Sequence, residues 1–155
     1  MDWDAYARQG CAVGAALEIV GDRWTMTVLR ELFLGIRRFG EIQRNTGAAK
    51  NILADRLQAL VGHGVLVRVQ YQERPPRYEY RLTEKGLDLY PILVGLMAWG
   101  AKHAPSAAEP LVLVQHKACG AVGLPQLTCT GCGEHVGPRD MRALAGPGAV
   151  LKQTA

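Results

Sequence analysis

The residues best suited to chemistry lie near the C-terminus, where two short stretches share one pattern. The stretches are His116-x-x-Cys119-Gly120 and Cys129-x-x-Cys132-Gly133, with nine residues between Cys119 and Cys129. Two intervening residues let one tight turn place both ligands on a metal ion, and the following glycine permits a positive φ. Three thiolates and one imidazole suit tetrahedral zinc with no open position. The spacing therefore predicts one structural zinc ion per chain in a zinc-ribbon-like module.

Alternatives to that zinc site remain open. His135 could replace His116 as the fourth ligand, and Cys129 and Cys132 could instead form a redox-active disulfide or stay inert thiols. The remaining cysteine, Cys11, lies just ahead of the first predicted helix. A thiol near a helix N-terminus can have a lowered pKa, which favours a regulatory role. A lone cysteine is equally often a small buried hydrophobe.

Length and composition indicate one domain of ordinary size with a small appendage. The chain has 155 residues, of which 48% are hydrophobic and 21% charged, as in an average globular protein. A net charge of +4 permits an anionic partner without requiring one. The sequence has no apolar run long enough for a membrane span, no secretion signal and no nucleotide-binding or nucleophile-elbow motif. We therefore expect a cytoplasmic protein that is not an enzyme.

The hydrophobic pattern predicts four helices, a β-hairpin and a last helix. Apolar residues recur at helical spacing over residues 11–20, 23–34, 39–46 and 49–63. Residues 65–71 and 77–82 have the alternation of strands, and Pro75 and Pro76 lie in the turn between them. Thr83 can cap a final helix over residues 84–102. This order predicts a winged helix-turn-helix, an α+β fold that is mainly helical.

Several motifs stand in a fixed order within residues 8–103. They are LEIVGDRWT at 17–25, RRFGEI at 37–42, the Leu53…Arg56-Leu57 helix, GVLVR at 64–68 and YEYRLTEKG at 78–86. As a set they resemble the HxlR-type winged-helix transcription regulators of the MarR-like superfamily. The resemblance implies a bacterial, dimeric, DNA-binding protein. It also implies sensing of oxidants or electrophiles at Cys11, although Ala12 departs from the proline that commonly follows this cysteine.

The fourth predicted helix offers a face that can read DNA. With Leu53, Leu57 and Leu60 on the core side, the opposite face carries short, amide and charged side chains. These are Lys50, Asn51, Ala54, Asp55 and Gln58. Asparagine and glutamine can pair with adenine, and lysine with guanine, in the major groove. A solvated helix face has the same composition, but the family resemblance favours base reading.

Arginines surround this helix and suit the phosphate oxygens of double-stranded DNA. They are Arg37, Arg38, Arg44, Arg74 and Arg77. Acidic residues lie among them, so a merely soluble surface is the alternative. Phosphate contacts of this kind fix the position of a protein on the duplex without reading its sequence.

The last predicted helix indicates a dimer interface. Between Leu87 and Ala101 only Asp88 is charged, so the helix is apolar on more than one side. We expect an inward set that packs on the domain: Leu87, Tyr90, Leu93 or Val94, and Met97. The outward set would then be Leu89, Ile92, Leu96 and Trp99. A second subunit is the simplest cover for the outward set, burial under the C-terminal module is the alternative, and Pro91 should kink the helix one turn earlier.

Together these features predict a homodimeric, sequence-specific transcription regulator. It would bind a pseudo-palindromic operator and respond to an electrophile or a small molecule. Two other functions remain open, a protein-interaction module built on the winged helix and zinc knuckle, and a metal or redox sensor. The predicted organisation is a DNA-binding and dimerisation domain at 8–103, a linker at 104–110, the zinc module at 111–136 and a flexible tail at 137–155.

Overall fold

The computed structural model of the protein describes residues 11–104, 112–142 and 144. Packing divides the chain into two compact units, with the boundary between Leu96 and Met97. The elements of the first unit are, in order, α1 (Ala12–Val20), α2 (Arg23–Phe33), α3 (Phe39–Thr46), α4 (Lys50–Gly62), β1 (Leu66–Gln72), β2 (Arg77–Leu82) and α5 (Glu84–Leu87). A further helix, α6 (Tyr90–His103), crosses the boundary. Most of the predicted linker (104–110) and of the predicted tail (137–155) lies outside the described residues.

This order confirms the winged helix-turn-helix, an α+β fold that is mainly helical. Each boundary of α1–α4 and of the two strands lies within one residue of its predicted position. Local signals explain this agreement. The Asp22 carboxylate accepts hydrogen bonds from the amides of Trp24 at 2.8 Å and Thr25 at 3.3 Å, which starts α2. Gly47, at φ 69°, ends α3 in the left-handed conformation that glycine adopts without strain.

The core lies where α2, α3 and α4 meet the start of the wing. The predicted inward stripe of α4 is confirmed, because Leu53, Leu57 and Leu60 are at most 1% exposed. The other apolar side chains buried to the same degree are Val28, Leu29, Ile42 and Val65. Each large side chain removed from water in this way contributes about 1.5–3 kcal/mol of hydrophobic free energy. The core therefore fixes which face of α4 remains in solvent.

The wing is an antiparallel hairpin in which Leu66 pairs with Leu82 and Gln70 with Tyr78. An irregularity between Gln70 and Gln72 increases the local twist before the turn. The wing is also joined to the helices, because the Tyr80 amide donates a 2.9 Å hydrogen bond to the Arg37 carbonyl. The wing is therefore fixed to the segment that precedes α3.

The last helix differs from the prediction of one continuous helix over 84–102, which was wrong. The structure separates α5 from α6 at Asp88 and Leu89. Pro91 explains the break, because it has no N–H to donate to the carbonyl of Leu87, the last residue of α5. The predicted cap is confirmed, since the Thr83 hydroxyl accepts a 3.2 Å hydrogen bond from the Gly86 amide. A side chain at Gly86 would collide with the Val65 carbonyl oxygen, so α5 lies directly against the hairpin.

Across the described parts of the chain, no helix combines the length and the apolar character needed to cross a membrane.

Candidate nucleic-acid interface and C-terminal hairpins

The helix-turn-helix places α4 with one face buried and the other in solvent. Because Leu53, Leu57 and Leu60 anchor the inner face, the residues predicted to read bases stand on the outer one. All five of them are exposed: Lys50, Asn51, Ala54, Asp55 and Gln58. Lys50 makes the first turn of this face cationic, and after it come the two amides, the methyl group of Ala54 and the carboxylate of Asp55. Such a surface fits the donor and acceptor pattern of a major groove.

Five exposed guanidinium groups lie on the elements around α4. They are the arginines predicted to contact phosphates: Arg37, Arg38, Arg44, Arg74 and Arg77. Arg38 is the residue that precedes α3, and its guanidinium carbon lies 4.6 Å from the centre of the Tyr71 ring in β1. This cation–π contact orders a side chain that would otherwise move freely in solvent.

A further arginine, on the wing, was not among the residues that the sequence analysis predicted to contact phosphates. Arg68 is exposed, and its guanidinium carbon lies 3.6 Å from the centre of the Tyr78 ring on β2. In the register of the hairpin Arg68 pairs with Tyr80, so Tyr78 is its diagonal neighbour across the strands. The alternation of side chains along the two strands could have indicated this contact, because it places Arg68, Tyr78 and Tyr80 on one face of the hairpin.

Glu31 is a second residue that the sequence analysis missed. It is only 2% exposed, yet its carboxylate accepts hydrogen bonds from Arg30 Nη2 at 2.6 Å and from Asn45 Nδ2 at 2.7 Å. Arg30 and Glu31 belong to α2 and Asn45 to α3, so this carboxylate ties the helix-turn-helix to the preceding helix. A charged residue inside an amphipathic helix gives no sign in sequence that it will be buried.

On α6 the predicted division between inward and outward side chains needs a correction. Leu93 and Val94 are buried as expected, and Ile92, Leu96 and Trp99 are 47%, 51% and 64% exposed. Leu89, predicted to face outward, packs against the core instead. Leu87 and Tyr90, predicted to pack inward, are exposed. The break at Asp88 and Leu89 explains the differences at Leu87 and Leu89, because a continuous helical phase cannot be carried across it. Tyr90 is only partly exposed, since its ring lies 5.3 Å from that of Phe33 in α2.

Cys11 is the N-cap residue of α1. Its side chain is partly exposed, and its carbonyl accepts a 3.0 Å hydrogen bond from the Ala15 amide. Cys11 therefore lies at the end of α1 where the first amides of the helix carry partial positive charge.

The second unit contains two small hairpins with the same backbone. In the first hairpin (residues 114–123) the His116 amide donates to the Ala121 carbonyl at 2.9 Å, and the Gly120 amide donates to the His116 carbonyl at 2.8 Å. The same bonds recur 13 residues later in the second hairpin (residues 127–136), and the isolated β-bridges are displaced by the same interval. The counterparts are Cys129 for His116, Cys132 for Cys119 and Gly133 for Gly120.

The predicted metal ligands form two pairs, one in each hairpin. His116 Nδ1 lies 3.1 Å from Cys119 Sγ. In the second hairpin the pKa of the Cys129 thiol is lowered, chiefly because the Cys132 amide hydrogen-bonds to its sulfur, and further by the Gly131 amide and the Cys132 side chain. Within residues 11–104, 112–142 and 144, no three of the His, Cys, Asp and Glu residues are gathered closely enough to hold a metal. The structure therefore brings the predicted ligands together as two separate pairs, His116 with Cys119 and Cys129 with Cys132.

Comparison with known proteins gives the family of the chain. A family model described as HxlR-like helix-turn-helix matches residues 19–108. An uncharacterized HTH-type transcriptional regulator of Mycobacterium tuberculosis is 46% identical over 144 residues, which are 93% of this chain and 91% of the relative. The crystal structure of PA1607, assigned as a transcription factor, superposes with a TM-score of 0.76 and 38% identity, covering 88% of this chain and 96% of PA1607.

A third comparison covers less of the chain. The redox regulator HypR in its reduced form superposes with a TM-score of 0.55 and 28% identity, covering 62% of this chain and 96% of HypR. The M. tuberculosis relative and PA1607 match far more of the chain than HypR does. Their similarity therefore extends beyond the winged helix-turn-helix.

Proposed function

The chain belongs to the HxlR-like helix-turn-helix family of transcriptional regulators, and we propose that it binds double-stranded DNA in a sequence-specific way as a homodimer. We further propose that a thiol-reactive signal changes this binding. The observation that carries the proposal is the outer face of α4, where five exposed residues stand opposite a fully buried leucine stripe.

The outer face of α4 supports base reading by its chemistry. Asn51 and Gln58 can each make two hydrogen bonds to adenine, and Lys50 can reach the acceptors of guanine. Ala54 lies between them and leaves room for a base edge or a thymine methyl group. Because the inner leucines hold α4 by packing, these side chains meet the groove from a fixed helix.

The arginines support binding to the DNA backbone. Arg38 at the start of α3 and Arg77 in β2 flank α4, and the hydrogen bond from the Tyr80 amide to the Arg37 carbonyl ties the two elements together. Guanidinium groups held on one rigid body can contact phosphates on both sides of a groove without reordering. Such contacts release counterions, so binding should weaken as the salt concentration rises.

The exposed side of α6 supports a homodimer. Ile92 and Leu96 are one helical turn apart, and Trp99 follows three residues later, so one stripe of a single helix exposes three large apolar side chains. A second copy of the chain would remove this stripe from water. A dimer carries two copies of α4 and so recognises two half-sites related by a two-fold axis, which predicts a pseudo-palindromic operator.

The position of Cys11 supports a thiol-based signal. It caps α1, is partly exposed and lies at the positive end of the helix. HypR, to which 62% of the chain is similar, is a redox regulator. Modification of Cys11 would displace the start of α1 and so alter the packing on which the spacing of the two α4 helices depends.

The test is selection of bound duplexes from random DNA by the purified protein at two salt concentrations. We expect one enriched pseudo-palindrome and weaker binding at the higher salt. Asn51→Ala should change the preferred base at one position, at a cost on the order of 1–3 kcal/mol for the original site. Arg77→Ala, the matched variant on the backbone side, should weaken binding to every duplex alike and make the salt slope shallower by about one unit.

Two results would contradict the proposal. If Asn51→Ala keeps the wild-type base preference, α4 is not the reading helix in the orientation assigned to it. If no duplex binds in a salt-dependent way, the winged unit instead serves as a docking module for another protein.

A further inference from the structure

Residues 112–142 of the second unit have ordered turns but no apolar interior. None of residues 112–142 is buried. The larger apolar side chains among them stand in solvent: Leu113, Val122, Leu124, Leu127 and Met141. A segment this small folds only when a disulfide, a metal or a partner replaces the missing core. The six backbone hydrogen bonds that close the two hairpins, three in each, therefore need support from something other than burial.

The repeated backbone places metal-binding side chains at equivalent points of the two hairpins. In each hairpin two residues separate the first ligand from the second, and a glycine in the left-handed conformation directly follows the second ligand. Gly120 has φ 73° and Gly133 has φ 77°. A turn of this shape can direct the two ligand side chains towards one metal ion. In the second turn the sulfur of Cys129 already accepts hydrogen bonds from backbone amides. Both turns therefore suit metal binding, although the two residues between the ligands differ from one turn to the other.

We propose that His116, Cys119, Cys129 and Cys132 bind one structural zinc ion per chain, and that this ion joins the two hairpins. In a tetrahedral zinc site with bonds of about 2.1 Å to nitrogen and 2.3 Å to sulfur, those two ligand atoms are about 3.6 Å apart. His116 Nδ1 and Cys119 Sγ, at 3.1 Å, need only a small separation to admit the ion. Binding must also draw Cys129 and Cys132 towards this first pair, because the structure gathers the four ligands only as two pairs. Binding transfers the thiol protons of the three cysteines to solvent, and no group is oxidised or reduced.

His116 is the nitrogen ligand, and His135 is not. By the 13-residue correspondence His116 takes the place of Cys129, a ligand, whereas His135 takes the place of Val122. Val122 and His135 are the β-bridge residues that close the hairpins, and His135 Nδ1 is hydrogen-bonded to the Leu127 carbonyl at 3.0 Å. A closed shell of three thiolates and one imidazole leaves no position for substrate, so the ion serves the fold.

The experiment measures the metal in the full-length protein purified in reducing buffer without chelator. Elemental analysis should find one zinc per chain. Cys119→Ser, Cys129→Ser, Cys132→Ser and His116→Asn should each lose most of it. Cys11→Ser and His135→Asn are the matched controls and should keep it in full. Replacement by Co²⁺ should give the visible absorption of a tetrahedral cobalt–thiolate site.

A second measurement separates loss of metal from general misfolding. Hydrogen exchange of the whole chain, before and after chelation, should show loss of protection in residues 112–142 and unchanged protection in α2, α3 and α4. Zinc that survives all three of these cysteine substitutions would overturn the proposal. So would metal-free protein in which Cys129 and Cys132 form a disulfide, seen as a loss of two hydrogens by mass. Loss of zinc in His135→Asn with retention in His116→Asn would overturn the choice of His116. None of these readouts depends on DNA binding.

Discussion

The guanidinium group of Arg38 lies over the ring of Tyr71, with 4.6 Å between the guanidinium carbon and the ring centre. One residue comes from the start of the helix-turn-helix and the other from the first strand of the wing. Next to this contact the Arg37 carbonyl accepts the hydrogen bond from the Tyr80 amide. The wing and the turn that precedes α3 are therefore held together at two points, one made by a side chain and one by the backbone.

Removing the ring under Arg38 should weaken DNA binding without changing its specificity. Tyr71→Leu should cost about 0.5–1 kcal/mol on every duplex, a factor of about two to five in Kd, because the guanidinium is no longer ordered before binding. Tyr71→Phe keeps the ring and should bind like the wild type. Kd values for the selected operator and for an unrelated duplex provide the check. A loss confined to the operator would mean that Tyr71 takes part in base recognition instead.

Most of the winged unit could be predicted from the sequence because its signals are local. Asp22 as a cap, Gly47 at a left-handed turn, and the leucine stripe of α4 each act within one or two helical turns. The break after α5 was only partly predicted. Pro91 indicated a disturbance, but the apolar run on both sides continues without a gap, so nothing in the sequence shows that the phase of the helix is lost there.

The missed features depend on contacts between distant parts of the chain. Glu31 looks like any exposed carboxylate until α3 brings Asn45 against it. Arg68 is a further exposed arginine of the wing, yet only the register of the hairpin places it on Tyr78. In the second unit the spacing of the Cys and His residues can be read from the sequence. The matching hydrogen-bond patterns of the two hairpins are evident only in the structure.

Glu31 should contribute to stability through both of its partners. Glu31→Ala removes the acceptor shared by Arg30 and Asn45 and should lower the free energy of unfolding by about 1–3 kcal/mol. Asn45→Ala should cost less, because it leaves the bond between Glu31 and Arg30 intact. Urea denaturation of both single variants and of the double variant measures the coupling between α2 and α3. Strictly additive effects would show that the hydrogen bond does not link the two helices energetically.

Two substitutions on neighbouring turns should separate dimerisation from folding. Ile92→Glu places a charge on the exposed stripe of α6 and should give a folded monomer or an aggregate of folded chains. Leu89→Glu places the same charge against the core and should instead lower the melting temperature. Light scattering should give the wild type twice the chain mass of 16.8 kDa. A wild type that is monomeric at micromolar concentration would remove the basis for a palindromic operator.

Cys11 should be the first thiol to react if the other three are held by zinc. Brief alkylation of the native protein at neutral pH, followed by peptide mass mapping, should find the label on Cys11. An electrophile should change operator binding by the wild type and leave binding by Cys11→Ser unchanged. Should the serine variant respond as strongly as the wild type, Cys11 is a structural residue and the sensor lies elsewhere.

The hydrogen bond between Arg37 and Tyr80 also bears on the order in which the protein assembles. The two residues are far apart in sequence, whereas most of the core comes from consecutive helices, and local contacts form faster than distant ones. On the ribosome α2, α3 and α4 are complete before β2 has been synthesised. We therefore expect the helices to collapse first and the wing to attach afterwards, as the closing step of the winged unit. In the native state we expect the tip of the wing, the exposed turn at 73–76, to open at least cost, because the base of β2 is held by β1, by the hydrogen bond from Tyr80 to Arg37 and by the packing of Tyr80 and Leu82 against the core.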